Sequence, residues 1–141
     1  MKKESFVLKE VSPDVPWVDV KIPEDMEIVE VAPDKLTMTG DVNVTTIAVY
    51  EEGEVALSGF EMLERARKMS EMPVCSKRDL EILLTRGMEI NHGGLLTGIK
   101  VRGWDFREYW LYLDRRDNQW VAAFQGVVGH FSNFQVLCCG Q

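Results

Sequence analysis

Residues 45–84 read TTIAVYEEGEVALSGFEMLERARKMSEMPVCSKRDLEILL, and this stretch decides the fold. Val44, Thr46, Ala48 and Tyr50 alternate with Thr45, Ile47 and Val49, a period-two run of β-branched residues that predicts a half-buried strand. Glu51-Glu52-Gly53-Glu54 has turn chemistry, and Val55-Ala56-Leu57 is expected as the returning strand. Ser58 and Glu61 have capping-box spacing, with Leu57 and Met62 at the two staple positions. Met62, Leu63, Ala66 and Met69 then share a helical face, with Glu64, Arg65, Arg67 and Lys68 towards water and Pro73 as the stop. Ser76 and Asp79 repeat the cap, Leu80, Leu83 and Leu84 form a second stripe, and Gly87 fits the C-terminal end. The two principal helices are placed at about 59–72 and 77–86. Each cap stabilises its helix by about 1 kcal/mol, so Ser58 and Ser76 are read as structural.

Working outward, the first 40 residues read as short strands over 5–11, 18–22 and 28–31, broken by Pro13, Pro16, Pro23 and Pro33. Proline cannot donate to a ladder, so such ends suit sheet edges. Beyond Gly87, the loop Met88 to Gly94 carries Asn91 and His92, a possible site on a loop. The only other histidine is His130, and no Cys or carboxylate stands at ligand spacing, so no metal site is predicted. Strands over 98–102, 108–114 and 119–124 then form an antiparallel meander, with Arg115-Arg116-Asp117-Asn118 as a four-residue hairpin loop. A last strand is expected at 134–139, while 126–132 has no assignment. The fold class is therefore α+β, mostly antiparallel short strands with two helices and an aromatic C-terminal meander over 97–139, in one domain spanning 1–141.

The pattern Ile47-x-Val49, turn, Leu57-Ser58-Gly59-x-x-x-Leu63-x-x-Ala66, Pro73-Val74 resembles the central segment of the ParB/sulfiredoxin-like fold. That resemblance covers about 40 residues and implies a strand feeding a Gly-led helix, a short Pro-Val strand and another helix. It also implies an Arg-rich phosphate box at positions 60–62, where this chain has Phe60, Glu61 and Met62. Phenylalanine, carboxylate and thioether cannot replace guanidinium at a phosphate, so the resemblance implies a degenerate, non-catalytic domain.

The chain has 141 residues and a formal charge of -7, which is unevenly spread. Residues 1–64 hold 15 acidic and 5 basic side chains, and residues 65–141 hold 8 and 11. The acidic half argues against nucleic acid and suits a basic partner. Cys75, Cys138 and Cys139 fit neither a disulfide framework nor a zinc pattern and are expected as reduced thiols, with one of the last two exposed. No apolar run approaches the roughly 20 residues of a membrane span, and the start lacks a signal-peptide core, so a cytoplasmic protein is expected.

Nine of the 13 aromatics lie between Trp104 and Phe134. Tyr109, Leu111 and Leu113 share one strand face, and Trp110 and Tyr112 share the other. One face is enough for a core, which leaves the second for a partner. Trp104, Arg107, Trp110, Tyr112 and Trp120 are therefore the candidate partner-binding residues, being the residue types that dominate interface energetics. No nucleophile–base pair, metal set or phosphate loop assembles from local spacing. The expectation is a non-catalytic protein-binding or regulatory module without cofactor, acting on a protein partner or a second copy. The alternatives are an acidic inhibitor or immunity-type protein that blocks a basic site, and nucleic-acid binding by Arg102, Arg107, Arg115 and Arg116.

Overall fold

Two helices cover a single sheet from opposite sides. The computed structural model describes residues 2–70, 72–90 and 92–140. In chain order the elements are β1 (Lys2–Leu8), β2 (Glu27–Glu30), β3 (Val42–Ala48), β4 (Leu57–Ser58), α1 (Gly59–Met69), α2 (Lys77–Thr85), β5 (Gly94–Arg102), β6 (Glu108–Arg116), β7 (Gln119–Gly126), β8 (His130–Phe131) and β9 (Gln135–Gly140). This is the expected α+β class. The main sheet runs β1-β3-β9-β5-β6-β7. All its pairs are antiparallel except β5–β9. β9 lies beside the first half of β5 (Leu95↔Gln135, Leu96↔Val136) and β2 beside the second half (Glu27↔Arg102, Glu30↔Lys100).

β5 carries two more residues than β6 between the pairs Leu96↔Tyr112 and Lys100↔Trp110. The excess is taken up around Thr97 and Gly98. The Thr97 hydroxyl donates to the Leu111 carbonyl at 2.8 Å and accepts from the Ile99 N–H. Gly98 has φ +83, and a Cβ there would stand 2.7 Å from Val74 Cγ2. Only glycine meets both demands.

Both predicted caps are present: Ser58 accepts the Glu61 N–H at 3.2 Å and Ser76 accepts the Asp79 N–H at 3.0 Å. Their acidic partners act elsewhere. The Glu61 carboxylate pairs with Arg65 one turn on. Buried Asp79 accepts the N–H groups of Lys35 (2.9 Å) and Leu36 (3.0 Å). α1 ends at Met69, earlier than expected, because Ser70 turns the chain and its hydroxyl accepts the Met72 N–H. α2 ends in a Schellman pattern, Met88 N–H to Leu83 O and Gly87 N–H to Leu84 O.

The strand expected at 18–22 does not form. That segment lies on α2, where its N–H groups find side chains rather than a ladder: Val18 donates to Thr85 Oγ1 and Val20 to Glu81 Oε2, each at 2.9 Å. Arg86, at the end of α2, ties the end of β1 to the segment before β3, its guanidinium donating to the carbonyls of Leu8, Thr37, Met38 and Gly40. Val55-Ala56-Leu57 does not return along β3 either. Only Leu57–Ser58 is extended, paired with His130–Phe131 from the stretch that carried no assignment. The meander hairpin is tighter than expected, since Arg115 and Arg116 belong to β6 and the turn is Asp117-Asn118, both at positive φ.

The hydrophobic core therefore has two halves. Leu80, Ile82 and Leu83 of α2 pack with Leu95, Leu111, Leu113 and Leu137 on one sheet face, and Met62 and Ala66 of α1 pack with Ile47, Leu96, Trp110 and Val136 on the other. Coverage on both faces overturns the cysteine expectation. Cys138 and Cys139 are both buried, and Cys139 forms a disulfide with Cys75 across 64 residues of sequence, with Cα atoms 5.5 Å apart. The Val74–Cys138 bridge and the Cys139 N–H to Pro73 O bond bring the two strands of chain together.

Candidate interaction surface

The structure separates the five residues singled out from sequence. Trp110 is only 5% exposed, because the start of α1 lies on its ring: a Cβ on Gly59 would stand 2.6 Å from the indole Cδ1 and Nε1. Tyr112 is half-buried in an aromatic cluster, with ring centroids 5.8 Å from Phe131 and 5.1 Å from Phe134. The face expected to be free for a partner is thus covered by the chain's own helix and the 131–134 loop. Trp120 is half-buried on the α2 side, its indole N–H on Met88 O at 2.9 Å and the Arg115 guanidinium 5.3 Å from its ring. Trp104 and Arg107 do remain in solvent.

Trp104 is 76% exposed and Phe106, two residues on, is 84% exposed. Both stand on the β5–β6 turn, which Asp105 braces. One carboxylate oxygen accepts the Arg107 N–H at 3.1 Å and the other accepts the Tyr109 hydroxyl at 2.8 Å. Those bonds hold the Asp105 carboxyl below its usual range and, through Asp105, raise the Tyr109 hydroxyl above its own. Gly103 and Arg107 close the turn, Gly103 N–H to Arg107 O at 2.9 Å. Phe106 adopts φ +62, a conformation rare for a bulky side chain and costing about 1–3 kcal/mol. Phe106 was missed in the sequence because alternation alone does not reveal backbone strain. The aromatic-Asp-aromatic triplet between two strands was the available signal.

Acidic groups gather beside the turn. Glu24, Asp25, Glu27 and Arg102 line a cleft of about 350 Å³ with Trp104 and Phe106. From there an ion-pair ladder crosses the sheet: Arg102 with Glu27 (3.7 Å) and Glu108 (3.3 Å), Lys100 with Glu30 (3.0 Å) and Glu108 (3.9 Å). Lys100 Nζ also stands 4.9 Å from the Trp110 ring centroid. The ladder leads to a groove of about 680 Å³ between α1 and β5, with exposed Phe60 at its rim, Leu63, Ala66 and Val74 on its walls and Cys138 in its lining. Burial pushes the Cys138 thiol up to about 12. The arginines considered for phosphate contacts are dispersed here, Arg102 in the ladder, Arg115 on Trp120 and Arg116 on Asp114 at 2.9 Å.

The loop candidate divides likewise. Asn91 lies outside the described residues. His92 Nδ1 sits 3.0 Å from Gly94 O and 3.2 Å from Gly94 N, and its ring lines a cleft of about 360 Å³ with Tyr50, Glu54, Asn133 and Phe134. Tyr50 donates to the Phe131 carbonyl, and burial raises its hydroxyl above the usual range. Among the described residues no three His, Cys, Asp or Glu side chains cluster as a metal site, and no helix is long and apolar enough to cross a membrane. No protein-family model, curated protein or solved structure matches this chain.

Proposed function

We propose that this protein is a non-catalytic protein-binding module that presents Trp104 and Phe106 to a basic segment of a partner. The observation that carries this reading is the braced turn: two large aromatics are held mostly in water on a turn that Asp105 braces, one of them at a strained φ, and among the described residues neither belongs to the hydrophobic core. Leaving them exposed forgoes about 1.5–3 kcal/mol of burial each. A rigid turn offers that area at low entropic cost on binding. Glu24, Asp25 and Glu27 beside the aromatics favour Lys or Arg side chains, whose cations also stack on indole and phenyl faces. This joins the contact-surface reading with that of an acidic protein blocking a basic site. In the same reading, residues 45–84 are a ParB/sulfiredoxin-like segment without its phosphate box: Phe60 is exposed, Glu61 pairs with Arg65 and Met62 is buried.

Selection from a random-peptide display library tests the reading. Enriched peptides are expected to be rich in Arg and Lys, and Trp104→Ala combined with Phe106→Ala is expected to weaken them at least about tenfold. Asp105→Ala, which leaves both rings but frees the turn, is expected to weaken them in the same direction. Peptides that bind the double variant as well as the wild type would refute the proposal.

A further inference from the structure

The two ends of the strand order β1-β3-β9-β5-β6-β7 are built differently. β1 begins Lys2-Lys3-Glu4, and charge on an edge strand discourages pairing with another chain. β7 reads QWVAAFQG, eight residues without charge or proline, and pairs with β6 from Arg116↔Gln119 to Tyr109↔Gly126 without a register break. The strand itself therefore carries none of the charge, proline or bulge that protects an edge.

The hydrogen-bond phase of β7 follows from its two ends. Val127 N–H donates to Glu108 O, and the two-residue turn makes Arg116↔Gln119 a hydrogen-bonded pair. Gln119, Val121, Ala123 and Gln125 therefore bond inwards to β6. The N–H and C=O groups of Trp120, Ala122 and Phe124 point outwards, and among the described residues no strand pairs with them. The neighbouring segment 18–21 faces Trp120, Val121 and Ala122 across a cleft of about 220 Å³, and its Val18 and Val20 N–H groups are already used on α2.

We infer that β7 pairs antiparallel with β7 of a second copy, about a twofold axis at Ala122. In that register Ala122 faces its own counterpart, and Trp120 of each chain faces Phe124 of the other. The outward groups then form three hydrogen-bonded pairs, about six new backbone bonds. Trp120 and Phe124 share the α2 side of the sheet, where both are half-buried, so the pairing adds two cross-strand aromatic contacts. A small residue on the axis leaves room between them. The result is one continuous sheet through both copies, with the unprotected edge removed. The inference does not depend on the Trp104 surface.

Analytical ultracentrifugation of the full chain tests this from low to high micromolar concentration. A dimer is expected, and Ala122→Pro, which deletes an outward N–H without touching the β6 ladder, is expected to raise its Kd at least about tenfold. Ala122→Lys places two ammonium groups together on the axis and is expected to do the same, with circular dichroism reporting that the fold is kept. Ala122→Cys is expected to cross-link between copies on mild oxidation, since such pairs hold Cα atoms about 5.5 Å apart, whereas Gln125→Cys is not. A wild type that stays monomeric at about 100 µM, or a dimer indifferent to Ala122→Lys and not cross-linked at position 122, overturns the inference.

Discussion

Gly59 and Trp110 are in contact so close that no larger residue fits at the start of α1: a Cβ on Gly59 would stand 2.6 Å from the indole. Replacing glycine by alanine in a helix ordinarily stabilises by up to about 1 kcal/mol. Here the sign reverses. Gly59→Ala is expected to destabilise by about 1–3 kcal/mol, the cost of overpacking, read from urea unfolding midpoints at unchanged m. A neutral or stabilising result would mean that α1 shifts freely over Trp110.

Arg86 is expected to be the most sensitive polar position. Its side chain supplies four backbone carbonyls from the end of β1 and the segment before β3, at 2.7 to 3.3 Å, and only 7% of the residue is exposed. Arg86→Ala leaves those acceptors without their donor and is expected to cost about 3–5 kcal/mol. Arg86→Lys should rescue little, because one ammonium cannot reach carbonyls arranged around a planar fork. Hydrogen exchange should show the loss of protection first around residues 37–41.

The Glu54–Arg65 pair predicts an acid limb. Arg65 donates to both Glu54 oxygens and holds that carboxyl at about 2, against an ordinary 4.5. A lowered folded-state pKa contributes stability that is fully present above about 4.5 and lost as pH falls towards 2. Glu54→Gln should therefore be less stable than wild type at neutral pH, with the gap closing between pH 4.5 and 2. A gap independent of pH over that window would disprove the linkage.

Cys138 is expected to be the single titratable thiol of the unreduced chain, since Cys75 and Cys139 are bonded. With its thiol pushed up to about 12 by burial, it should resist iodoacetamide at pH 8 in the native state and react once denatured. Rapid native labelling would show that the groove between α1 and β5 opens to its base.

Local chemistry was legible from residues alone wherever a structure is satisfied within a few positions. The caps at Ser58 and Ser76, the apolar stripes of both helices and the period-two run of β3 were of this kind, as was the α+β class. Everything that depended on a distant partner was decided in three dimensions. β9 enters between β3 and β5, and that insertion brings Cys139 to Cys75. Asp79 reads by spacing as the partner of the Ser76 cap, yet its carboxylate accepts N–H groups of Lys35 and Leu36, while Glu81 accepts that of Val20 and helps hold the predicted strand at 18–22 on α2 as a covering layer. Trp110 and Trp104 are equally aromatic in sequence. Which of them is core and which is surface was settled by where α1 lands, because burial depends on the sum of distant contacts and not on the residue's own pattern.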